Sequence, residues 1–146
     1  MAEVSIDTYE ILTRYFHFLG IMLLSSILIF QHLILKYNLQ KEIMKKLTFT
    51  NYMLLTGFIV VFISGVILWI YLGKPYDFYS KNWIFHLKGS LVALLFTLFI
   101  INSTKLKTLI GVKNITKILN IQLTLLLFII LSAVLMAKGI GYYGFK

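Results

Sequence analysis

Four long apolar runs alternate with three short polar stretches along this chain. The first run extends from Ile11 to Leu35 and is interrupted only by Arg14 and two histidines; the second, Tyr52 to Leu72, carries no charge. The third runs from Trp83 to Ile101 and contains His86 and Lys88, and the fourth, Ile115 to Ala137, has Lys117 at its start. An α-helix needs about 20 apolar residues to cross the hydrocarbon core, so each run is long enough to span. The pattern predicts an all-α polytopic membrane protein, a four-transmembrane-helix up-down-up-down bundle forming one integral membrane domain over residues 1–146. Lys36–Asn51, Gly73–Asn82 and Asn102–Asn114 are read as loops, the second holding the single proline, Pro75. The start, MAEVSIDTYE, is acidic, and the apolar run after it is too long for a secretory signal, so no cleaved peptide is expected.

Composition sharpens this picture. Of the 146 residues 60% are hydrophobic and 13% charged, against about 25% charged in soluble domains. The net charge of +9 would suit nucleic acid if it were spread over a face. It is concentrated instead in the first and third loops, with Lys36, Lys41, Lys45 and Lys46 in one and Lys105, Lys107 and Lys113 in the other. That is a topology signal, and no nucleic-acid partner is expected. The positive-inside rule puts these loops in the cytoplasm and both termini outside, as in a multi-pass protein of a bacterial inner (cytoplasmic) membrane. Trp69, Tyr71, Tyr76, Phe78, Tyr79 and Trp83 crowd the second loop, as an aromatic belt at the outer interface would. The bilayer is the expected partner, with a second membrane protein or a homo-oligomer as candidates. The lysines of the first loop could also attract anionic headgroups, although a purely topological role is the preferred reading.

Several chemistries are excluded. There is no cysteine, hence no disulfide, thiolate metal site or cysteine nucleophile. The carboxylates Glu3, Asp7, Glu10, Glu42 and Asp77 all lie outside the spans, which removes an intramembrane carboxylate dyad and the usual proton relay of pumps. Glycine-rich phosphate motifs are absent.

The ionisable residues within the spans are therefore the candidates for function. His17 and His86 lie roughly 5–9 Å below the outer edge, while His32 lies about 22 Å further in. His17 and His86 can share a site at that depth and His32 cannot; it reads as an interfacial residue. Helical spacing from His17 gives Thr13, Gly20, Leu24, Leu28 and Gln31, and from His86 it gives Asn82, Gly89, Ser90, Ala93 and Thr97. Small and polar stripes are the ones that membrane helices turn toward each other, so both histidines are expected to face inward. Gly57, Val61, Ser64, Gly65 and Leu68 form a similar face on the second helix, and Asn120, Thr124 and Ser132 a weaker one on the fourth. Lys88 lies about 200° around the helix from His86, on the bulky stripe of Ile84, Leu91, Val92, Leu95 and Phe99. Periodicity predicts that it faces lipid and snorkels to the headgroups. Two inward histidines could hold haem iron axially, with Arg14 near a haem propionate; hydrogen bonding of each imidazole to Ser, Thr or Asn on a neighbouring helix is the competing reading. A copper or zinc site is the weaker metal reading, since two histidines are too few to close one.

The segments YFHFLGIMLLSSILIFQHLIL, YLGKPYDFYSKNWIFHLKGSLVALLF and SAVLMAKGIG resemble the domain-of-unknown-function 2214 family, four-helix bacterial membrane proteins with no established activity. GKPYDFY, FHLK and LMAKGIG are the most specific pieces. Gln31 stands where that family tends to carry an acidic residue. More distantly, a histidine early in the first helix and His-x-Lys early in the third are similar to the membrane-embedded, haem-b protoporphyrinogen oxidase family. That similarity implies a haem role for His17 and Lys88, with His86 two residues before the lysine. The chain lacks that family's tryptophan- and glycine-containing segment after the histidine, having LLSSIL instead.

The leading expectation is thus a membrane protein that binds a b-type haem between the first and third helices through His17 and His86, with Arg14 and Lys88 nearby, in electron transfer or as a redox subunit. A protoporphyrinogen-oxidase-like enzyme, in which Lys88 steers substrate carboxylates, and a cofactor-free accessory subunit of a larger complex are the alternatives.

Overall fold

The computed structural model describes residues 2–37, 41–108 and 112–143. Helix α1 spans Ala2–Tyr37 and α2 spans Lys41–Ile67, continuing as a π-helical turn over Leu68–Leu72. A short helix, α3, occupies Tyr76–Ser80, and α4 and α5 span Trp83–Thr108 and Val112–Ala137. The stretches long and apolar enough to cross a membrane are Thr8–Leu35, Lys46–Leu72, Trp83–Thr104 and Asn114–Ala137. The four-helix, all-α membrane architecture read from the sequence is the one observed.

The helices outrun the apolar segments that announce them. Much of Lys36–Asn51, expected as a loop, is the first three turns of α2, and α4 continues past Ile101 to Thr108. Hydropathy locates the membrane boundary, whereas lysine, glutamate, leucine and methionine propagate a helix in water as readily as in lipid. α3 is a second departure from the expected turn. Pro75 precedes it and Asp77 lies in its first turn, where the fixed proline φ and an acidic side chain both favour helix initiation.

The four long helices pack in a ring: α1 against α2 and α5, and α4 against α5 and α2. α1 and α4 therefore lie across the diagonal from each other. The core is a layer of Leu24 and Leu28 from α1, Leu54 and Phe58 from α2, Leu95 and Phe99 from α4, and Leu119 and Leu126 from α5. Large apolar residues such as Phe18, Met22, Phe62 and Leu127 cover the outside. Lipid tails match these side chains in polarity, so helix association rests on close packing. The α1–α2 seam shows it directly. A Cβ on Gly20 would stand 2.6 Å from Val61, and one on Gly57 would stand 2.9 Å from Leu24. Both small-residue stripes expected to face inward, on α1 and on α2, do so at this seam.

Polar residues occupy two levels on either side of the leucine layer. One level, toward the end carrying the termini and the aromatic loop (the aromatic end), includes His17, Ser64 and Ser132. The other, toward the end where α1 meets α2 and α4 meets α5 (the lysine end), includes Gln31, Thr50, Asn102 and Gln122.

Candidate functional site

His17 sits on the inner face of α1, half-buried, with Nδ1 3.0 Å from Ser64 Oγ of α2. Its Cε1 lies 3.2 Å from the place a Gly65 Cβ would occupy, so the ring rests against bare α2 backbone. The Ser64 hydroxyl can donate to the Val60 carbonyl at 2.6 Å, to the Val61 carbonyl at 3.2 Å or to Nδ1 itself, so the imidazole tautomer sets the direction of the interhelical bond. The interhelical hydrogen bond held as the competing reading for His17 is made, to Ser64.

Lys88 joins this site, which corrects the facing expected for the third transmembrane helix. Ile84, Leu95 and Phe99, on the same stripe, are 1%, 2% and 6% exposed, and Leu91 and Val92 pack against the core. Lys88 is carried inward with them, half-buried, and near enough to His17 for the two to interact electrostatically. The small stripe points outward instead: His86, Gly89, Ser90, Ala93 and Thr97 are all exposed. α4 packs through bulky side chains, and small size marks a buried face only where two backbones approach closely, as at the α1–α2 seam.

His86 is correspondingly removed from the interior. Its Nε2 lies 3.1 Å from the Ser80 carbonyl oxygen, a contact that ties the start of α4 to the end of α3. Axial ligation of one iron by His17 and His86 would need both rings turned into the bundle, and only His17 is. The pair does not fit a bis-histidine haem. Arg14 is exposed and engaged within its own helix, with Nε 2.9 Å and Nη2 2.5 Å from Glu10 Oε1, rather than held toward His17. Among the described residues, no group of three or more His, Cys, Asp or Glu gathers as a metal site would require.

Above this site a cap closes the aromatic end. Asn82 is fully buried and serves as the N-cap of α4: its Oδ1 accepts from Ile84 N–H at 3.0 Å, satisfying one of the orphan donors of the first turn. Its Nδ2 donates to the Ile140 carbonyl, and Trp83 N–H donates to the Gly141 carbonyl, both at 3.3 Å. The segment after α5 is thereby strapped across the start of α4. Gly141 has φ +87°, and a Cβ there would stand 2.6 Å from Ile84 and 2.8 Å from Asn82. Tyr142 stacks on Phe78, while Phe85 lies against both Trp69 and Tyr79. The Tyr79 hydroxyl accepts from Lys74 N–H at 3.1 Å. GKPYDFY and FHLK, close together in sequence, meet the distant LMAKGIG in this cap and at the Lys88 site beneath it.

At the lysine end, sequence reasoning missed a set of buried amides. Gln31, Asn102 and Gln122, from α1, α4 and α5, are each 0% exposed. Gln31 Nε2 donates to Thr50 Oγ1 at 2.9 Å and to Asn51 Oδ1 at 2.8 Å. Both polar atoms of Asn102 and of Gln122, together with Gln31 Oε1 and His32 Nδ1, have no hydrogen-bond partner among the described residues. His32, expected at the interface, is half-buried. On α5 the stripe of Asn120, Thr124 and Ser132 divides: Ser132 is buried and the other two are exposed. Gln122, an amide within an apolar run, was the available signal.

A family model described as a predicted membrane protein (DUF2214) matches residues 9–141. No curated protein and no solved structure matches.

Proposed function

We propose that this chain, which belongs to the DUF2214 family of predicted membrane proteins, binds the anionic head of an amphipathic small molecule in the aromatic half of its bundle. The observation that carries this reading is Lys88, carried inward on the buried stripe of α4 with no ion pair to a carboxylate among the described residues. Among the described carboxylates, Glu10 is engaged by Arg14 and Asp77 lies 3.9 Å from Lys81. A lysine held inside a membrane costs at least about 2.5 kcal/mol on insertion scales, and an anion bound from the bilayer would offset that cost. Lys88 supplies the charge and the donors, and His17, fixed by Ser64, lines the site beside it. A carboxylate suits that ammonium, with the apolar body of the ligand left among the helices and lipid. The positive-inside rule puts the lysine end in the cytoplasm and this site in the outer leaflet.

Binding can be tested in neutral detergent with dodecanoate and its methyl ester, and with protoporphyrin IX and its dimethyl ester. The acids are expected to raise the melting temperature and the esters to leave it unchanged. Lys88→Met is expected to weaken the acid response about tenfold or more, the worth of a hydrogen bond to a charged group. Equal responses to acid and ester in the unsubstituted protein would refute the reading. A response confined to the porphyrin would narrow the class to tetrapyrroles, and a reduced-minus-oxidised spectrum of protein purified from haem-replete cells would report iron held through His17.

A second reading, an accessory subunit, is favoured by the outward stripe of α4. A Cβ on Gly89 would meet no atom within 4 Å, and Ser90, Ala93 and Thr97 continue the same exposed face. Such a face suits close approach by another membrane helix. Ala93→Leu is expected to shift the assembly to smaller mass on native gels if this face is an interface; an unchanged mass counts against it.

A further inference from the structure

On the outer surface of the bundle, between α1 and α2 near the lysine end, runs an open groove of about 740 Å³. Phe30 and Ser26 of α1 form one wall, and Lys46, Phe49 and Met53 of α2 form the other. The α2 residues fall three and four apart and so share one helix face. From Lys46 to Met53 the groove follows α2 for about 10 Å.

Its chemistry changes along that length. Lys46 lies six residues before Tyr52, where the second apolar run begins, about 9 Å along the helix and so at headgroup level. Deeper in, the walls are aromatic rings and a thioether, and the polar groups they carry are already engaged. Thr50 donates to the Leu47 carbonyl and accepts from Gln31, and Ser26 donates to the Met22 carbonyl. The groove thus presents one cation at its mouth and an apolar trough leading toward the bilayer centre. Lys36, Lys41 and Lys45 lie at the same end, and the segment 36–51 keeps a net charge of +3 with Glu42 included.

We infer that this groove is a binding site for an anionic phospholipid of the leaflet at the lysine end, with its phosphate on Lys46 and one acyl chain along Phe49, Phe30 and Met53. Charge selects the occupant: a basic position between transmembrane helices, at the interface, recognises anionic headgroups. A zwitterionic lipid could fill the trough equally well but would gain little at Lys46.

Native mass spectrometry of the full chain, released from micelles holding equal phosphatidylglycerol and phosphatidylcholine of identical chains, tests the inference. Retention of phosphatidylglycerol is expected to exceed that of phosphatidylcholine by about fivefold, the worth of one basic residue at a membrane surface. Lys46→Gln removes the charge at the mouth, and Ser26→Phe fills the trough while leaving Lys46 in place. Both positions are exposed, so neither substitution disturbs the core. Loss of the preference in both variants supports the site, with Lys74→Gln, at the opposite end, unchanged. Equal retention of the two lipids by the unsubstituted protein overturns it, as does a preference that survives in either variant.

Discussion

Asn82→Leu is expected to lower the unfolding free energy by about 2–5 kcal/mol and to release the segment after α5 from the bundle. The side chain is fully buried and makes two hydrogen bonds, accepting from Ile84 N–H and donating to the Ile140 carbonyl. Leucine repeats the branched shape of asparagine with bulkier methyl ends, so crowding adds to the main cost, that of leaving two buried backbone groups unpaired, each about 1–3 kcal/mol. The loss of the α4 cap falls within that figure, since the same Ile84 N–H is involved. Gly141→Ala attacks the strap from the other side. It forces an L side chain into left-handed backbone, at about 1–2 kcal/mol, and crowds Ile84 and Asn82. Because the two substitutions break one contact, the double variant is expected to lose less than the sum of the single ones. Trp69 and Trp83 both lie at this end, so tryptophan fluorescence during detergent-induced unfolding, together with protease cleavage after Ala137, reads out both effects. An unchanged transition in Asn82→Leu would mean that the cap contributes nothing to stability.

The membrane class and the number of spans were legible because each rests on a sum over some twenty residues, which no single side chain can reverse. The facing of α1 and α2 was legible for a local reason: Gly20 and Gly57 let two backbones approach, and their neighbours His17, Leu24, Ser64 and Gly65 follow. The same rule misled for α4. In water its outward face would have to be polar, but lipid accepts both Phe96 and Ala93, and the stripe of His86, Gly89 and Ser90 resembled a packing surface. The bulky stripe packs against α5 and α2, so Lys88 entered the bundle and His86 left it. The cap was not legible. Asn82 was read as the end of the second loop, and its contact with Ile140, 58 positions away, depends on two left-handed glycines in the tail. The lysine-end amides followed the same logic. Asn102 was assigned to a loop because hydropathy falls there, although the helix, and with it burial, continues.

Those amides give the second large effect, and its sign differs between neighbouring residues of one type. Gln122→Leu is expected to raise the unfolding free energy by about 1–3 kcal/mol, and adding Asn102→Leu to raise it further by a similar amount. Each carries a buried amide with no partner among the described residues. A polar group taken out of water without a compensating hydrogen bond costs about 1–3 kcal/mol by mutational measures, and leucine removes that cost while filling the space. Gln31→Leu is expected to do the opposite. Its amide joins α1 to Thr50 and Asn51 of α2, so leucine there deletes two interhelical bonds and strands an Asn51 acceptor. Three buried amides at one end of the bundle thus divide into one that fastens helices and two that oppose packing. Parallel denaturation of the three single variants separates these cases. If all three lose stability, Asn102 and Gln122 are satisfied by solvent drawn into the bundle, and the lysine half holds a hydrated interior. If the signs divide as expected, that interior is dry, and its two unpaired amides are retained for something other than stability.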